Sequence, residues 1–286
     1  MNEENAHQIL RATGLLVIEV INSNPNGDPD RESDPRQRPD GRGEISPVSF
    51  KRKVRDLIEN KDGDVWKHVA KELSVNGEEF SILESRGRDR KAIEKELKDK
   101  TFQKKYWDGR IFGNTFLEEG AADSIRTGVV QFGLGLSVAP ITISRHTNTN
   151  KAGVEGDKDR GMAPMAYRFV PHGVYCMPFF VNPSAAHKSG CTKKDIDVLL
   201  RVIPYAYPHT RSYSRPMVEI RHAWYIEHKN PLGSCSDFAI IDALTPKKRQ
   251  DAEKPSASWG EYDLPRTLPA DVSSKVGSVR DLMAVL

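Results

Sequence analysis

The chain has 286 residues, 37% hydrophobic and 29% charged, which is enough apolar content for a packed core in one elaborated domain. Lysine plus arginine (43) exceeds aspartate plus glutamate (40) by only three, so net charge does not mark a nucleic-acid binder and the placement of the cations must carry that argument. Cys176, Cys191 and Cys235 form neither a disulfide framework nor a zinc-ligand spacing, and neither a signal-like start nor a run of about 20 apolar residues is present, so a cytoplasmic protein without membrane attachment is expected.

Thr13 to Ile21 (TGLLVIEVI) is a continuous apolar, β-branched run, the pattern of a central strand. It breaks into Asn22–Glu44, a long loop packed with Asn, Asp, Pro and Gly. Ser46-Pro47 then supplies an N-cap and a proline suited to the first helical position. Behind it Phe50, Val54, Leu57 and Ile58 recur at helical spacing, with Lys51, Arg52 and Arg55 on an adjacent arc and Lys53 on the other flank. Residues 84–105 hold nine basic and five acidic residues and read as an exposed helical insertion.

Gly128 to Ser137 alternates large side chains (Val130, Phe132, Leu134, Leu136) with Gln131, Gly133, Gly135 and Ser137, a strand stripped on one side. The polar stretch from Ile143 to Tyr167 lies between strand-like sequences and reads as an excursion from a sheet. Thr192 opens a helix with Ile196, Leu199, Leu200 and Ile203 on its buried face, stopped by Pro204. The aromatic and cationic loop Tyr205–Pro216 leads into the strand Met217–Glu227, and the segment from Pro246 to Pro269 offers few anchors beyond Trp259, Tyr262 and Leu264. The order of elements is an α+β plan compatible with a ferredoxin-like sheet.

From Arg31 to Arg55 eight basic residues face four acidic, with amides at Asn22, Asn24 and Asn26. Such a segment grips phosphates or is simply a solvated loop and helix exterior. The stripped strand leaves room for a nucleic-acid backbone or for close packing against its glycines. Met162 and Met165 can wedge between bases or fold back on their own loop. Tyr205, Tyr207 and Tyr213 with His209, Arg211 and Arg215 suit stacking and phosphate contact, or edge-of-core packing. Asp28, Asp30 and Asp34 lack EF-hand spacing, and His146, His172, His209 and His222 are scattered, with neither HExxH nor GxSxG nor a Walker loop. The sequence nominates no nucleophile, base, metal ligand or cofactor site.

TGLLVIEVINSNPNGDPD, the GRIFG of Gly109–Gly113, TGVVQFGLGLSVAPI (Thr127–Ile141) and HGVYCMPFFVNP (His172–Pro183) resemble the Csd-type branch of the Cas-seven family, the guide-RNA-binding backbone subunit of the type I-C CRISPR Cascade in the RAMP superfamily. The resemblance is dense from about Thr13 to Ile241. It implies a single domain over 1–286 with a modified RRM-like palm (13–60, 106–144, 167–245), a helical finger insertion (61–105), a protruding thumb hairpin (145–167) and a C-terminal extension (246–286). It also implies RNA contacts at Asn24, Asn26, Arg42, Ser46, Lys51, Arg52, Arg55, Gln131, Arg145 and His146, and a base wedge at Met162; Arg211 and Arg215 join the contacts from the residue reading.

The implied partners are guide RNA, the target DNA strand paired to it, further copies in a head-to-tail stack, other Cascade subunits and a recruited nuclease-helicase. The implied role is non-catalytic and needs no cofactor. Related type III backbone subunits cut target RNA with a loop aspartate, so a metal-dependent endoribonuclease using Asp28 or Asp30 is the alternative. A monomeric RNA chaperone is a third.

Overall fold

The computed structural model of the protein describes residues 8–85, 90–99, 101–114, 126–150 and 163–285. Strand β1 (Ala12–Ser23) is the apolar run foreseen from the sequence. It pairs antiparallel on both edges, so its ladder is satisfied on each side. After it come two short pieces, β2 (Gly27–Asp28) and β3 (Asp34–Pro35), then β4 (Arg42–Ile45), helix α1 (Pro47–Glu59) and helix α2 (Asp64–Leu73). Helices α3 (Arg90–Lys98), α4 (Phe102–Lys105) and α5 (Trp107–Phe112) precede β5 (Gly113–Asn114) and β6 (Arg126–Thr127). The middle of the chain supplies β7 (Val130–Phe132), β8 (Gly135–Pro140), β9 (Ser144–Asn150) and β10 (Ala163–Val181). Helix α6 (Lys193–Val202), β11 (Val218–His228), helix α7 (Asp237–Leu244), β12 (Lys247–Lys248), β13 (Tyr262–Asp263) and β14 (Val276–Asp281) follow.

The principal sheet runs β14-β11-β1-β10-β8-β4, with β7 and β9 also pairing to β10. Because side chains alternate across a strand, β1 serves two layers. Leu16, Ile18 and Val20 join the larger core with Phe50, Val54 and Ile58 of α1, Val65, Trp66 and Val69 of α2 and Leu199 of α6. Leu15 and Val17 face the other way, onto Ile240 and Leu244 of α7, Tyr262 and Val272. Leu83, Ile93 and Phe102 form a small cluster of their own under the charged helix α3. This is an α+β domain built on one large antiparallel sheet.

Strand β10 explains the hairpin. Its Val170–Val181 half pairs with β1 inside the sheet, while its Ala163–Phe169 half continues outward and pairs with β9. The excursion is thus an extension of a sheet strand, fixed in direction by the register Phe169↔Ser144. Met162 lies outside the described residues.

One expectation is corrected. The stretch Gly128–Ser137 is not one strand with an open stripped side. It divides into β7 and β8, and after Phe132 the alternation resets, leaving Leu134 exposed while Gly135 and Ser137 are buried. A Cβ on Gly135 would lie 3.1 Å from Met177 and 3.2 Å from Ile45, and one on Gly133 would lie 2.9 Å from Pro178. The glycines therefore serve close packing. Past Pro246 the chain is anchored where Tyr262 allowed it: Tyr262 is buried with its hydroxyl donating to Ser256 (2.8 Å), and beyond Pro269 strand β14 pairs with β11 as the edge of the principal sheet. Among the described residues no helix is long and apolar enough to cross a membrane.

Candidate nucleic-acid interface

The loop after β1 is held by its own amides. Asn24 donates from Nδ2 to the Ser33 carbonyl (2.7 Å), and Asn26 Oδ1 accepts from the Ser46 N–H (2.7 Å). Ser46 Oγ in turn accepts from the Ser49 N–H (3.2 Å), capping α1 as its sequence foretold. The loop is therefore fastened to the start of a core helix. Ser49 and Lys53, one turn apart on α1, face the aromatic loop before β11.

At that place the post-β1 loop, the base of the hairpin and residues 213–215 enclose a cleft of about 480 Å3, lined by Asn24, Asn26, Gly27, Ser49, Tyr167, Arg168, Tyr213 and Arg215. Tyr167 packs edge-on to the Tyr213 ring (5.4 Å) and donates its hydroxyl to the Asn22 carbonyl (2.6 Å). Tyr213 is 61% exposed, whereas Tyr207 is a core residue and Tyr205 packs at the core edge.

Beside the cleft, whose lining carboxylate Glu32 is bound by Arg168, lies a group of hydrogen-bond donors that pair with no carboxylate among the described residues. Lys53 is 5% exposed, its Nζ 3.3 Å from Thr210 Oγ1 and 5.1 Å from the Tyr207 ring centre. Burial, reinforced by the neighbouring Arg215 charge, pushes its pKa down to about 8. Arg215 Nε and the Tyr207 hydroxyl are buried without a hydrogen-bond partner, as is Asn24 Oδ1. Asp56, which also influences Lys53, is already bound by Arg52. Buried donors left unpaired cost free energy, so this arrangement favours an acceptor brought against it. The sequence placed Lys53 on a flank away from the other cations; its convergence with Thr210 and Arg215 is visible only in three dimensions.

The remaining candidates disperse. Arg55 is buried, bound to Asp108 (2.9 Å) and Glu84 (3.1 Å), and Arg52 is held by Asp56 (2.7 Å), Glu59 (3.0 Å) and the Glu84 carbonyl (2.5 Å). Both guanidinium forks are thus occupied by the protein's own acceptors. Lys51 is half-buried with its ammonium 4.9 Å from the Phe112 ring centre, and burial lowers its pKa. Arg42 stands exposed on the edge strand β4, Gln131 is exposed on β7, and Arg211 is exposed beyond Thr210. Arg145 is bound to Asp34, and His146 meets the Phe169 ring edge-on (5.0 Å) at the hairpin base.

The loop aspartates serve the loop. Asp28 accepts from the Asp30 N–H (3.2 Å), and Asp34 is held by Arg145 and Arg168; the Arg145 hydrogen bond first, and then both charges, keep its carboxyl below the usual range. Among the described residues no three His, Cys, Asp or Glu side chains converge as a metal site.

The fold and cleft define an antiparallel α+β domain whose sheet strand runs out into a hairpin, with an anion-ready cluster at the hairpin's base. The chain belongs to the family CRISPR-associated protein Cas7, which it matches over residues 10–266. It is similar to a chain of a "CRISPR RNA-guided surveillance complex, pre-nicking" (17% identity, 84% of this chain and 83% of that chain covered, TM-score 0.49). It is also similar to a chain of a "CRISPR RNA-guided surveillance complex" (17%, 81% and 75%, 0.43) and to one of the "Type III-B Cmr-beta bound to cognate target RNA" (15%, 76% and 61%, 0.40). No curated protein matches the sequence.

Proposed function

We propose that this Cas7-family chain binds guide RNA through its sugar-phosphate backbone and stacks along it as the repeating subunit of a type I-C, Csd-type surveillance complex. The bases are left free to pair with target DNA, and the chain itself does no chemistry. It acts in the cytoplasm with the other Cascade subunits and a recruited nuclease-helicase. The observation that carries this reading is the cluster of Lys53, Arg215 Nε and the Tyr207 hydroxyl, buried donors that pair with no carboxylate among the described residues, Lys53 being held by the Thr210 oxygen. A phosphodiester oxygen would complete that set. Asn24 Oδ1, an unpaired acceptor at the same cleft, would take a ribose 2′-hydroxyl.

Around this seat, Asn26, Ser49 and Arg211 extend the grip, with Arg42, Gln131, Lys51 and His146 farther along the RNA path. Met162, outside the described residues, is the base wedge that interrupts base pairing at a regular interval. Arg52 and Arg55 hold the helix in place instead of phosphates. Contacts to the backbone read no sequence.

Binding of labelled guide-length RNAs of unrelated sequence tests this. Affinity should be equal across sequences and fall steeply with salt, by a log–log slope of about −0.7 per phosphate contacted. Lys53→Met should lower affinity at least about tenfold, the loss of one charge-assisted contact of ~1.5 kcal/mol or more. Unchanged affinity in Lys53→Met would remove the seat. Mg²⁺-dependent cutting abolished by Asp28→Ala would replace the scaffold reading with the endoribonuclease one.

A further inference from the structure

On the layer of the sheet opposite α1, helix α7 has six apolar residues in eight, yet it buries fully only Ile240 and Leu244. A helix apolar all round is ordinarily covered on all sides. Here Phe238 is 76% exposed, and Leu232, in the turn just before the helix, is 87% exposed. These are not loose ends. The Arg11 guanidinium bonds the Leu232 carbonyl (3.2 Å) and also the Asp237 carboxylate, fastening the turn to the first residue of α7. Gly233, at φ +101°, allows that turn, and a Cβ there would meet the Arg11 side chain at 3.2 Å.

Behind Arg11, Asp237 accepts from Thr13 (2.5 Å), and buried His228 accepts at Nδ1 from the Ser234 N–H (3.0 Å). The two exposed apolar residues are thus presented by a rigid, fully bonded support, which lowers the ordering cost of binding.

Leu232 also forms one wall of a cleft of about 660 Å3 whose floor is Ile9, Pro183, Ala186, Cys191 and Pro231. Its ionisable lining is His187, Lys193 and Lys194, with no carboxylate. Lys193 is shared with Asp197, but among the described residues no carboxylate partners Lys194.

We propose that this edge is a protein-docking site for an extended segment of another protein in which an apolar anchor is flanked by carboxylates. The anchor enters the cleft beside Leu232, Phe238 packs alongside, and Lys194 and His187 meet the flanking acids. The site lies apart from the RNA cleft and does not depend on the RNA reading.

The test uses the full chain and three fluorescent peptides, each with one Leu or Phe anchor flanked by glutamates, by serines or by lysines. The glutamate peptide should bind at least about tenfold more tightly than the lysine peptide. Leu232→Ser and Lys194→Glu should each abolish that preference while leaving RNA affinity and the melting temperature unchanged. Equal binding of the three peptides, or binding indifferent to both substitutions, overturns the proposal. So does a concentration-dependent self-association lost in Leu232→Ser, because the face is then an interface between copies.

Discussion

Arg55 and Asp108, 53 positions apart, form a buried ion pair in which Nε lies 2.9 Å from Oδ2 and the side chains are 5% and 1% exposed. Asp108 also accepts from the backbone N–H groups of Leu83 (2.6 Å) and Glu84 (3.2 Å), so one carboxylate ties α1, α5 and the segment leading to α3 together. Removing the cation leaves a charge buried without compensation. Arg55→Ala is therefore expected to destabilise the fold by about 3–5 kcal/mol, read as a shift in the urea midpoint. If Arg55 gripped RNA instead, stability would hold and affinity alone would fall.

Gly135 separates the packing reading of the stripped strand from the binding one. Its missing side chain is filled by Met177 and Ile45, so Gly135→Val overfills a closed space. The expected cost is about 1–3 kcal/mol in urea unfolding, with RNA affinity of the folded fraction unchanged. A variant of normal stability that binds RNA poorly would show that the glycine face is open to ligand.

Asp34 links the post-β1 loop to the hairpin base through Arg145 and Arg168. The Arg145 hydrogen bond depresses its carboxyl pKa, so the clamp is present above the ordinary value of 3.8 and is lost as pH falls through the lower folded value. Asp34→Asn removes it at neutral pH. Amides of β9 and of the outer half of β10 should then exchange several-fold faster, while those of β1 stay protected. Unchanged exchange in the hairpin would mean that its strand pairing alone holds it.

The parts legible in the sequence were those with a period or a cap. β1 showed as an unbroken apolar run, α1 as Ser46-Pro47 followed by an apolar stripe, and α6 as Thr192 with Asp195, which do form a capping box. β14 (VGSVRD) escaped because an edge strand half open to water needs no apolar run. The break between β7 and β8 escaped because alternation was extrapolated across Gly133, where the chain changes register. In the site, counting cations along one arc of α1 found Arg52 and Arg55 but could not see that Asp56, Glu59, Glu84 and Asp108 claim them. Lys53 falls three residues after Phe50, on the flank of the apolar stripe away from the other cations, and its partner Thr210 is 157 residues away. No local pattern reports such a meeting. The aromatic loop was flagged, yet only exposure tells Tyr213 from the core residue Tyr207.

Lys53 also predicts two pH dependences of opposite sign. Its folded pKa of about 8, against an ordinary 10.5, means that the free protein loses this proton before the unfolded chain does. Lys61, lowered to about 8 by burial, behaves alike. Between those values the unfolded chain holds more protons at Lys53 and Lys61, so these two groups add stability as pH rises, while Cys176 and Cys191, whose thiols burial pushes up, subtract it above their ordinary 9.0. RNA binding runs the other way, because a phosphate needs the charged ammonium. Above about 8 the free protein must first regain a proton, and affinity should weaken progressively, towards tenfold per pH unit, until the raised pKa of the bound lysine is reached. Lys53→Met should give weak binding nearly flat over the same range, and the stability gap between it and the wild type should shift with pH by the Lys53 share alone. Anisotropy titrations and urea melts at matched ionic strength from pH 7 to about 10 measure both. A wild-type affinity that stays level through that window would show that Lys53 is not the ammonium that meets the backbone.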